Sequence, residues 1–237
     1  MDAIVFNLTT ALLLILIAAS GLTLLGRDTV PNRRMPWLAV ALTGLAVAGV
    51  VLQLCWPGAG DALDSDPSRA GWWRVLTAVF LQNGGVAGAA WNLATLAVIA
   101  ALAEWFWGRP LALLLFLAGI LLPHHIDALL GLAAGPVDPR NFAGSSGATY
   151  FLGATLAAPL LIRTRVPKQR LTAIAVVALG LAMWFVQDNG HGLVSVYGFV
   201  LGALTWAVGH RWLHPDRDLV HPAGLRVGVL PGFARKG

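Results

Sequence analysis

The sequence predicts an all-α polytopic membrane protein, and three observations support this fold class. Of the 237 residues, 57% are apolar and only 11% are charged, whereas an ordinary soluble domain carries about 25% charged residues. The mean hydropathy is +0.73. Apolar runs long enough to span a membrane, which takes roughly 20 residues, recur along the chain. These properties exclude a soluble globular enzyme and leave no room for a sizeable second domain.

Seven apolar runs, each bounded by Pro, Gly or charged residues, are predicted to be membrane helices, because lipid requires a backbone that makes its hydrogen bonds internally. They lie at about 3–25, 36–57, 86–107, 110–133, 146–162, 171–187 and 191–212. The first run is too long for a signal peptide and has no basic residue before it, so we expect it to be retained. The chain then divides into an additional N-terminal transmembrane helix at 1–30, a membrane domain at 36–212 and a tail at 213–237.

Basic residues are distributed unequally between the two sides that these spans define. Thirteen of the 16 Lys and Arg residues fall on one side, and three, Arg69, Arg74 and Arg140, fall on the other. Because cytoplasmic loops collect Lys and Arg, we expect a multi-pass plasma-membrane protein with its N-terminus outside and its C-terminal tail in the cytoplasm. The net charge of +5 then reflects membrane topology rather than nucleic-acid binding.

The sequence gives little support for a metal or redox site. Cys55 is the single cysteine, which excludes an intrachain disulfide and a cysteine-based metal site. His124 and His125 are adjacent, point to different faces of a helix and cannot both ligate one ion there. These residues therefore do not predict a metal site, and the Ser-His chemistry considered below needs neither a metal nor an organic cofactor.

Two positions at the outer ends of predicted spans are candidates for chemistry. Gly144-Ser145-Ser146-Gly147 opens the fifth span, where N–H groups at a helix start can hold an oxyanion. His191 opens the seventh span, and Gly198 and Gly202 after it form a G-x-x-x-G pair that lets two helices approach closely. Ser146 and His191 are expected on the same side at similar depth, as activation of a serine by a histidine requires. The alternatives are a small-residue packing face with a serine N-cap and an interfacial histidine bonded to water.

An acidic residue that orients the histidine is not evident. Asp188 lies three residues before His191 and would reach it on a helix, but we expect it to be a charge on the outer surface. The sequence therefore predicts a dyad of Ser146 and His191.

These residues resemble the rhomboid intramembrane serine proteases over about residues 36–210. Gly144-Ser145-Ser146-Gly147 is similar to the family's G-x-S-G, which implies that Ser146 rather than Ser145 is the nucleophile and that Gly144 supports the site. Tyr150 matches the tyrosine on which the family's histidine stacks, and His191 matches that histidine.

Further motifs of the same family occur in the expected order. Trp73-Arg74 resembles the Trp-Arg pair of its first loop, and Glu104-Trp-Phe-Trp-Gly108 resembles the E-x-x-x-G at the cytoplasmic end of its second core span. Asn92, twelve residues before Glu104, matches the asparagine that helps stabilise the oxyanion. Without the resemblance, Arg74 is interpreted equally well as a headgroup anchor and Glu104 as an ordinary carboxylate.

One segment departs from the family pattern. Rhomboids usually have H-x4-H-x3-N before the second core span, whereas this chain has Gln82 at the first histidine position, Gly88 at the second and one inserted residue between them. The remaining oxyanion donors are Asn92 and the backbone N–H of Ser146, so the departure predicts lowered activity or altered specificity.

The resemblance implies a six-helix rhomboid-like core with one additional N-terminal helix. It also implies an intramembrane serine endopeptidase that cleaves transmembrane segments of membrane proteins near the outer face, with the lipid bilayer as its environment and no nucleic-acid partner. The alternative is an inactive or weakly active rhomboid-like protein that binds transmembrane helices. A small-solute transporter is disfavoured, because the sequence has no inverted repeat and no charged residue at mid-membrane depth.

Overall fold

The computed structural model describes residues 3–66, 68–69, 71–130, 143–213 and 219, and within these ranges its regular elements are helices. The long helices are α1 (Ala3–Leu25), α2 (Trp37–Cys55), α5 (Gly85–Trp107), α6 (Arg109–Leu130), α7 (Ser146–Arg163), α8 (Pro167–Gln187) and α9 (Gly190–Gly209). Two short helices, α3 (Ala59–Leu63) and α4 (Arg74–Ala78), lie between α2 and α5, and a 3-10 helix (Arg27–Asn32) follows α1. Each predicted apolar run corresponds to one long helix, and the end of the fourth run, at 131–133, lies outside the described residues. The predicted tail at 213–237 lies outside the described residues except for positions 213 and 219.

Six of the long helices, α1, α2, α5, α6, α8 and α9, are long and apolar enough to cross a membrane. Large apolar side chains cover their outer faces; Leu54 on α2 is 77% exposed and Phe185 on α8 is 79% exposed. Such continuous exposed apolar surface is unsuited to water and suited to lipid. The chain is therefore a multi-pass membrane protein, as its composition predicts.

Helix α7 lies at the centre of the bundle, in contact with α1, α5, α6, α8 and α9. Every residue of α7 from Ala148 to Leu160 is buried. Among them, Thr155 accepts a hydrogen bond from Nε1 of Trp107 on α5 at 2.9 Å, so its hydroxyl is satisfied inside the protein. A helix enclosed by other helices needs no lipid-facing surface, which explains why α7 is not among the six apolar helices.

Helices α7 and α9 approach so closely that two glycines of α9 touch the backbone of α7. A Cβ at Gly198 would lie 2.1 Å from the carbonyl oxygen of Phe151, and a Cβ at Gly202 would lie 2.3 Å from that of Thr155. No side chain larger than hydrogen fits at these distances. The close helix approach predicted from the G-x-x-x-G pair is thus confirmed, and it fixes the start of α9 against the start of α7.

Glu104 joins the end of α5 to the start of α2. Its buried carboxylate accepts hydrogen bonds from the backbone N–H groups of Leu38 at 2.8 Å and Ala39 at 3.1 Å, and from Nε of Arg109 at 2.8 Å. The carboxylate therefore caps the N-terminus of α2, where N–H groups have no partner within the helix and negative charge is favourable. The interpretation of Glu104 as an ordinary carboxylate is wrong.

Replacing Glu104 by Gln is expected to destabilise the fold by about 1–2 kcal/mol. The amide keeps an acceptor oxygen but loses the charge that faces Arg109 and the N-terminus of α2. The measurement is the thermal unfolding temperature in detergent, with Asp28→Asn, an exposed acid in the neighbouring 3-10 helix, as the matched control. Equal unfolding temperatures for Glu104→Gln and the wild type would contradict the capping role.

Candidate active site

The starts of α7 and α9 bring Ser146 and His191 together. Nε2 of His191 lies 3.0 Å from Oγ of Ser146, which is a hydrogen-bond distance. The imidazole of His191 also lies against the ring of Tyr150, with ring centroids 4.9 Å apart and an interplanar angle of 57°. Serine and histidine thus have the relative position that proton transfer between them requires.

Asn189 holds the other side of the imidazole. Its Oδ1 lies 3.0 Å from Nδ1 of His191 and accepts the backbone N–H of the same residue at 3.1 Å. Because an amide oxygen only accepts, Nδ1 carries a proton and Nε2 presents its lone pair to Ser146. Sequence reasoning does not single out Asn189, although asparagine directly before a helix is a common N-cap. Asp188, in contrast, is exposed, as expected for a surface charge.

Gln82, Asn92 and Ser145 form a hydrogen-bonded group beside Ser146. Nδ2 of Asn92 donates to Oε1 of Gln82 at 2.8 Å, and Nε2 of Gln82 donates to Oγ of Ser145 at 3.3 Å. The backbone of Gln82 is held in turn by the amide of Gln53 on α2, through bonds of 2.8 and 3.2 Å. Gln82 therefore fixes the orientation of the Asn92 side chain next to the serine.

Gly144 leaves an open space between Ser146 and Asn92. A Cβ at Gly144 would lie 3.8 Å from Oγ of Ser146 and 4.0 Å from Nδ2 of Asn92. Its φ of +132° belongs to a region that favours glycine. The N–H of Gly144 donates to the carbonyl oxygen of Ala78 in α4 at 2.9 Å, which anchors the backbone that leads into α7.

Replacing Gly144 by Ala is expected to lower the rate at which Ser146 reacts with a fluorophosphonate probe by about 10-fold, since both the unfavourable φ and the occupied space oppose the reaction. The matched control is Gly60→Ala in α3, where a Cβ meets no atom within 4 Å. If the two variants reacted at the same rate, the open space at Gly144 would have no role.

Arg74 organises the long loop between α2 and α5. It is buried, and its guanidinium donates to the carbonyl oxygens of Asp61, Ala62 and Asp64 at 2.6, 2.7 and 2.9 Å. It also forms an ion pair with the Asp64 carboxylate at 3.0 Å, and its Cζ lies 5.6 Å from the ring centroid of Trp73. Arg74 is thus a loop-folding residue, and the interpretation as a headgroup anchor is wrong.

No family model, curated protein or solved structure matches this chain. Evidence for function comes from the candidate site itself. This site consists of the hydrogen-bonded residues Ser146, His191 and Asn189, together with the hydrogen-bonded pair Asn92 and Gln82.

Gly88, the second position that departs from the rhomboid pattern, lies in the first turn of α5. A Cβ at Gly88 would lie 2.8 Å from the carbonyl oxygen of Asn83, so a histidine there would require the preceding loop to move. Gln82, the first departing position, is buried and bonded to Asn92. The hydrogen-bonded side chains of this segment are thus two amides, those of Gln82 and Asn92.

His124 and His125 lie on α6, whereas Ser146, His191 and Asn92 lie on α7, α9 and α5. The ring centroids of His124 and His125 are 6.3 Å apart, and Nδ1 of His125 lies 2.7 Å from the carbonyl oxygen of Leu121. Asp127 on the same helix accepts a hydrogen bond from the hydroxyl of Tyr197 on α9 at 2.7 Å. In the part of the chain that the structure describes, no three His, Cys, Asp or Glu residues are grouped so as to hold a metal ion.

Proposed function

We propose that this chain is an intramembrane serine endopeptidase of the rhomboid type. The observation that carries the proposal is the 3.0 Å contact between Oγ of Ser146 and Nε2 of His191, whose Nδ1 is bonded to Asn189. A serine becomes an effective nucleophile when an adjacent base takes its proton, and a third group that orients the base improves this geometry. Helix packing alone does not require all three in this arrangement.

The position of the site within the bundle supports catalysis below the outer membrane surface. With α7 counted as the enclosed seventh crossing, the distribution of basic residues supports an N-terminus outside the plasma membrane and a tail in the cytoplasm. The site lies at the end of the bundle where α1 begins. Thr10, whose carbonyl oxygen is bonded to Tyr150, lies about 10 Å along α1 from Ala3, at 1.5 Å per residue.

In the proposed reaction, Oγ of Ser146 attacks a peptide carbonyl carbon in a transmembrane segment of the substrate, and its proton passes to Nε2 of His191. The protonated imidazole gives this proton to the leaving amine as the C–N bond breaks, which leaves an acyl group on Ser146. Water, deprotonated by His191, then attacks the ester, and the protonated imidazole returns this proton to Oγ of Ser146 as the acyl C–O bond breaks and the second product leaves. The exposed residues 84–87 beside Gln82 supply a path for this water.

Asn92 and the backbone N–H of Ser146 are the proposed oxyanion donors. The first N–H groups of a helix have no partner within the helix, and Ser146 is the first residue of α7. The Asn92 amide has two N–H groups, one of which donates to Gln82. The open space at Gly144 would receive the substrate's carbonyl oxygen. Because Gln82 bonds to Asn92 and orients its amide, Gln82 acts on the reaction through Asn92.

The substrates follow from the same chemistry. A transmembrane helix hides its carbonyl groups in internal hydrogen bonds, so a segment that is cleaved must contain small residues or proline that weaken the helix. The proposed partners are therefore such membrane proteins within the bilayer. The mechanism draws on no metal or organic cofactor.

The test is labelling of the purified, detergent-solubilised protein by a fluorophosphonate probe. We expect the wild type to be labelled, Ser146→Ala and His191→Ala to lose labelling, and Ser145→Ala, the neighbouring matched control, to retain it. Absence of labelling in a wild type that unfolds cooperatively would contradict the proposal. It would favour the rhomboid-like helix-binding protein without catalysis, which Gln82 and Gly88 at the histidine positions support.

A further inference from the structure

We propose that α1 is a positioning element of the active site and that Thr10 sets the tautomer of His191 through Asn189. The catalytic consequence rests on the proposed function, whereas the tautomer itself does not. Helix α1 precedes the region of rhomboid resemblance, yet it packs against α5, α7 and α8. Its contacts with the site give this additional helix a chemical role.

The hydroxyl of Thr10 links α1 to Asn189. Nδ2 of Asn189 donates to Oγ1 of Thr10 at 3.0 Å, and Oγ1 of Thr10 donates its own proton to the carbonyl oxygen of Phe6 at 2.7 Å. A carbonyl oxygen can only accept, and a hydroxyl has one proton. The Thr10 hydroxyl must therefore direct its proton to Phe6 and accept from Asn189, so the direction of both bonds is determined.

This direction fixes the amide of Asn189 and, through it, the imidazole. Nδ2 of Asn189 points to Thr10, and Oδ1 points to His191, where it also accepts the backbone N–H at 3.1 Å. Nδ1 of His191, 3.0 Å from that oxygen, is then the protonated ring nitrogen. Nε2 carries the lone pair and faces Oγ of Ser146 at 3.0 Å. A general base needs this tautomer to take the serine proton.

The backbone of Thr10 makes a second contact with the site. Its carbonyl oxygen accepts a hydrogen bond from the hydroxyl of Tyr150 at 2.8 Å, and the Tyr150 ring supports the imidazole of His191. Asn189 is only 1% exposed and Tyr150 only 2%, so bulk water cannot easily replace either bond. One residue of α1 thus holds both groups that flank His191.

The experiment measures the tautomer of His191 directly, by nitrogen NMR on the full-length, detergent-solubilised protein with ¹⁵N-labelled histidine. The His191 signals are assigned by their loss in His191→Gln. We expect a protonated Nδ1 and an unprotonated Nε2 in the wild type, and a mixture of both neutral tautomers in Thr10→Val, which replaces the hydroxyl by a methyl group of similar size. Thr10→Ser is expected to keep the wild-type tautomer.

The same variants are compared by their rate of fluorophosphonate labelling. We expect Thr10→Val to react about 10-fold more slowly, while Thr10→Ser reacts at close to the wild-type rate. Thr23→Val is the matched control, because the Thr23 hydroxyl donates to Ala19 within α1. Thr10→Ala, which removes the hydroxyl without adding a methyl group in its place, gives a second variant for the same comparison.

The outcomes separate this inference from the proposed function. A wild-type tautomer in both Thr10→Val and Thr10→Ala would overturn the positioning role, as would equal loss of labelling in Thr10→Val and Thr23→Val. The expected tautomer shifts in a protein whose wild type is never labelled would support the role of Thr10 and contradict the peptidase.

Discussion

Gly198→Ala is expected to slow fluorophosphonate labelling of Ser146 by about 10²-fold, because a displacement of about 1 Å between reacting groups costs that much. The new Cβ would lie 2.1 Å from the carbonyl oxygen of Phe151, and a backbone atom cannot move aside as the end of a flexible side chain can. Helices α7 and α9 must then separate. Ser146 and His191 are at the starts of these two helices, so their 3.0 Å contact would lengthen.

Gly209→Ala is the matched control for this prediction. Gly209 ends the same helix, and a Cβ there would meet only the side chain of Leu213, at 4.0 Å. Labelling rate and thermal unfolding temperature are both measured, and both are expected to fall only in Gly198→Ala. If Gly198→Ala labelled as fast as Gly209→Ala, the α7–α9 contact would not position the reacting pair.

Asn92→Ala is expected to slow the same labelling reaction by about 10²–10³-fold, the usual effect of removing one oxyanion donor. The phosphonyl oxygen of the probe would occupy the place that the structure leaves open at Gly144, where a Cβ lies 4.0 Å from Nδ2 of Asn92. Gln82 and Gly88 stand where the rhomboid pattern has its two histidines. The loss of Asn92 would therefore leave the N–H of Ser146 as the remaining proposed donor.

Thr95→Val is the control for Asn92→Ala. Thr95 lies one turn further along α5, and its hydroxyl donates to the backbone carbonyl of Asn92 at 3.1 Å. We expect this variant to label at close to the wild-type rate and both variants to keep the unfolding temperature of the wild type. Equal labelling of Asn92→Ala and the wild type would show that Asn92 does not bind the oxyanion.

The sequence predicts the helices well because a chain segment in lipid must make its backbone hydrogen bonds internally, as a helix does. Each of the seven apolar runs is a helix, and the spacing of Gly198 and Gly202 correctly predicts the close contact with α7. The contact between Ser146 and His191 follows from that packing and from the common side on which their helices begin. These features depend on composition and on periodicity within one helix, and both are visible in a single sequence.

The hydrogen bonds that complete the site are less accessible to sequence reasoning. Thr10 and Asn189 are 179 residues apart, and neither threonine on an apolar helix nor asparagine before a helix indicates a distant partner. From the sequence, Arg74 could be interpreted as a headgroup anchor and Glu104 as an ordinary carboxylate, whereas the structure buries both against backbone groups. Local sequence patterns identify a side chain as polar, but they do not show which group forms its hydrogen bonds.

The enclosure of α7 affects how the topology of this chain is counted. Within the described residues, six helices are long and apolar enough to span a membrane by themselves, and an even number of spans would put both chain ends on one side of the membrane. If α7 also crosses the membrane, as proposed, the number is odd and the two ends lie on opposite sides. The side on which the tail is found, measured by labelling of cysteines introduced there in intact cells, therefore depends on a helix that has almost no contact with lipid.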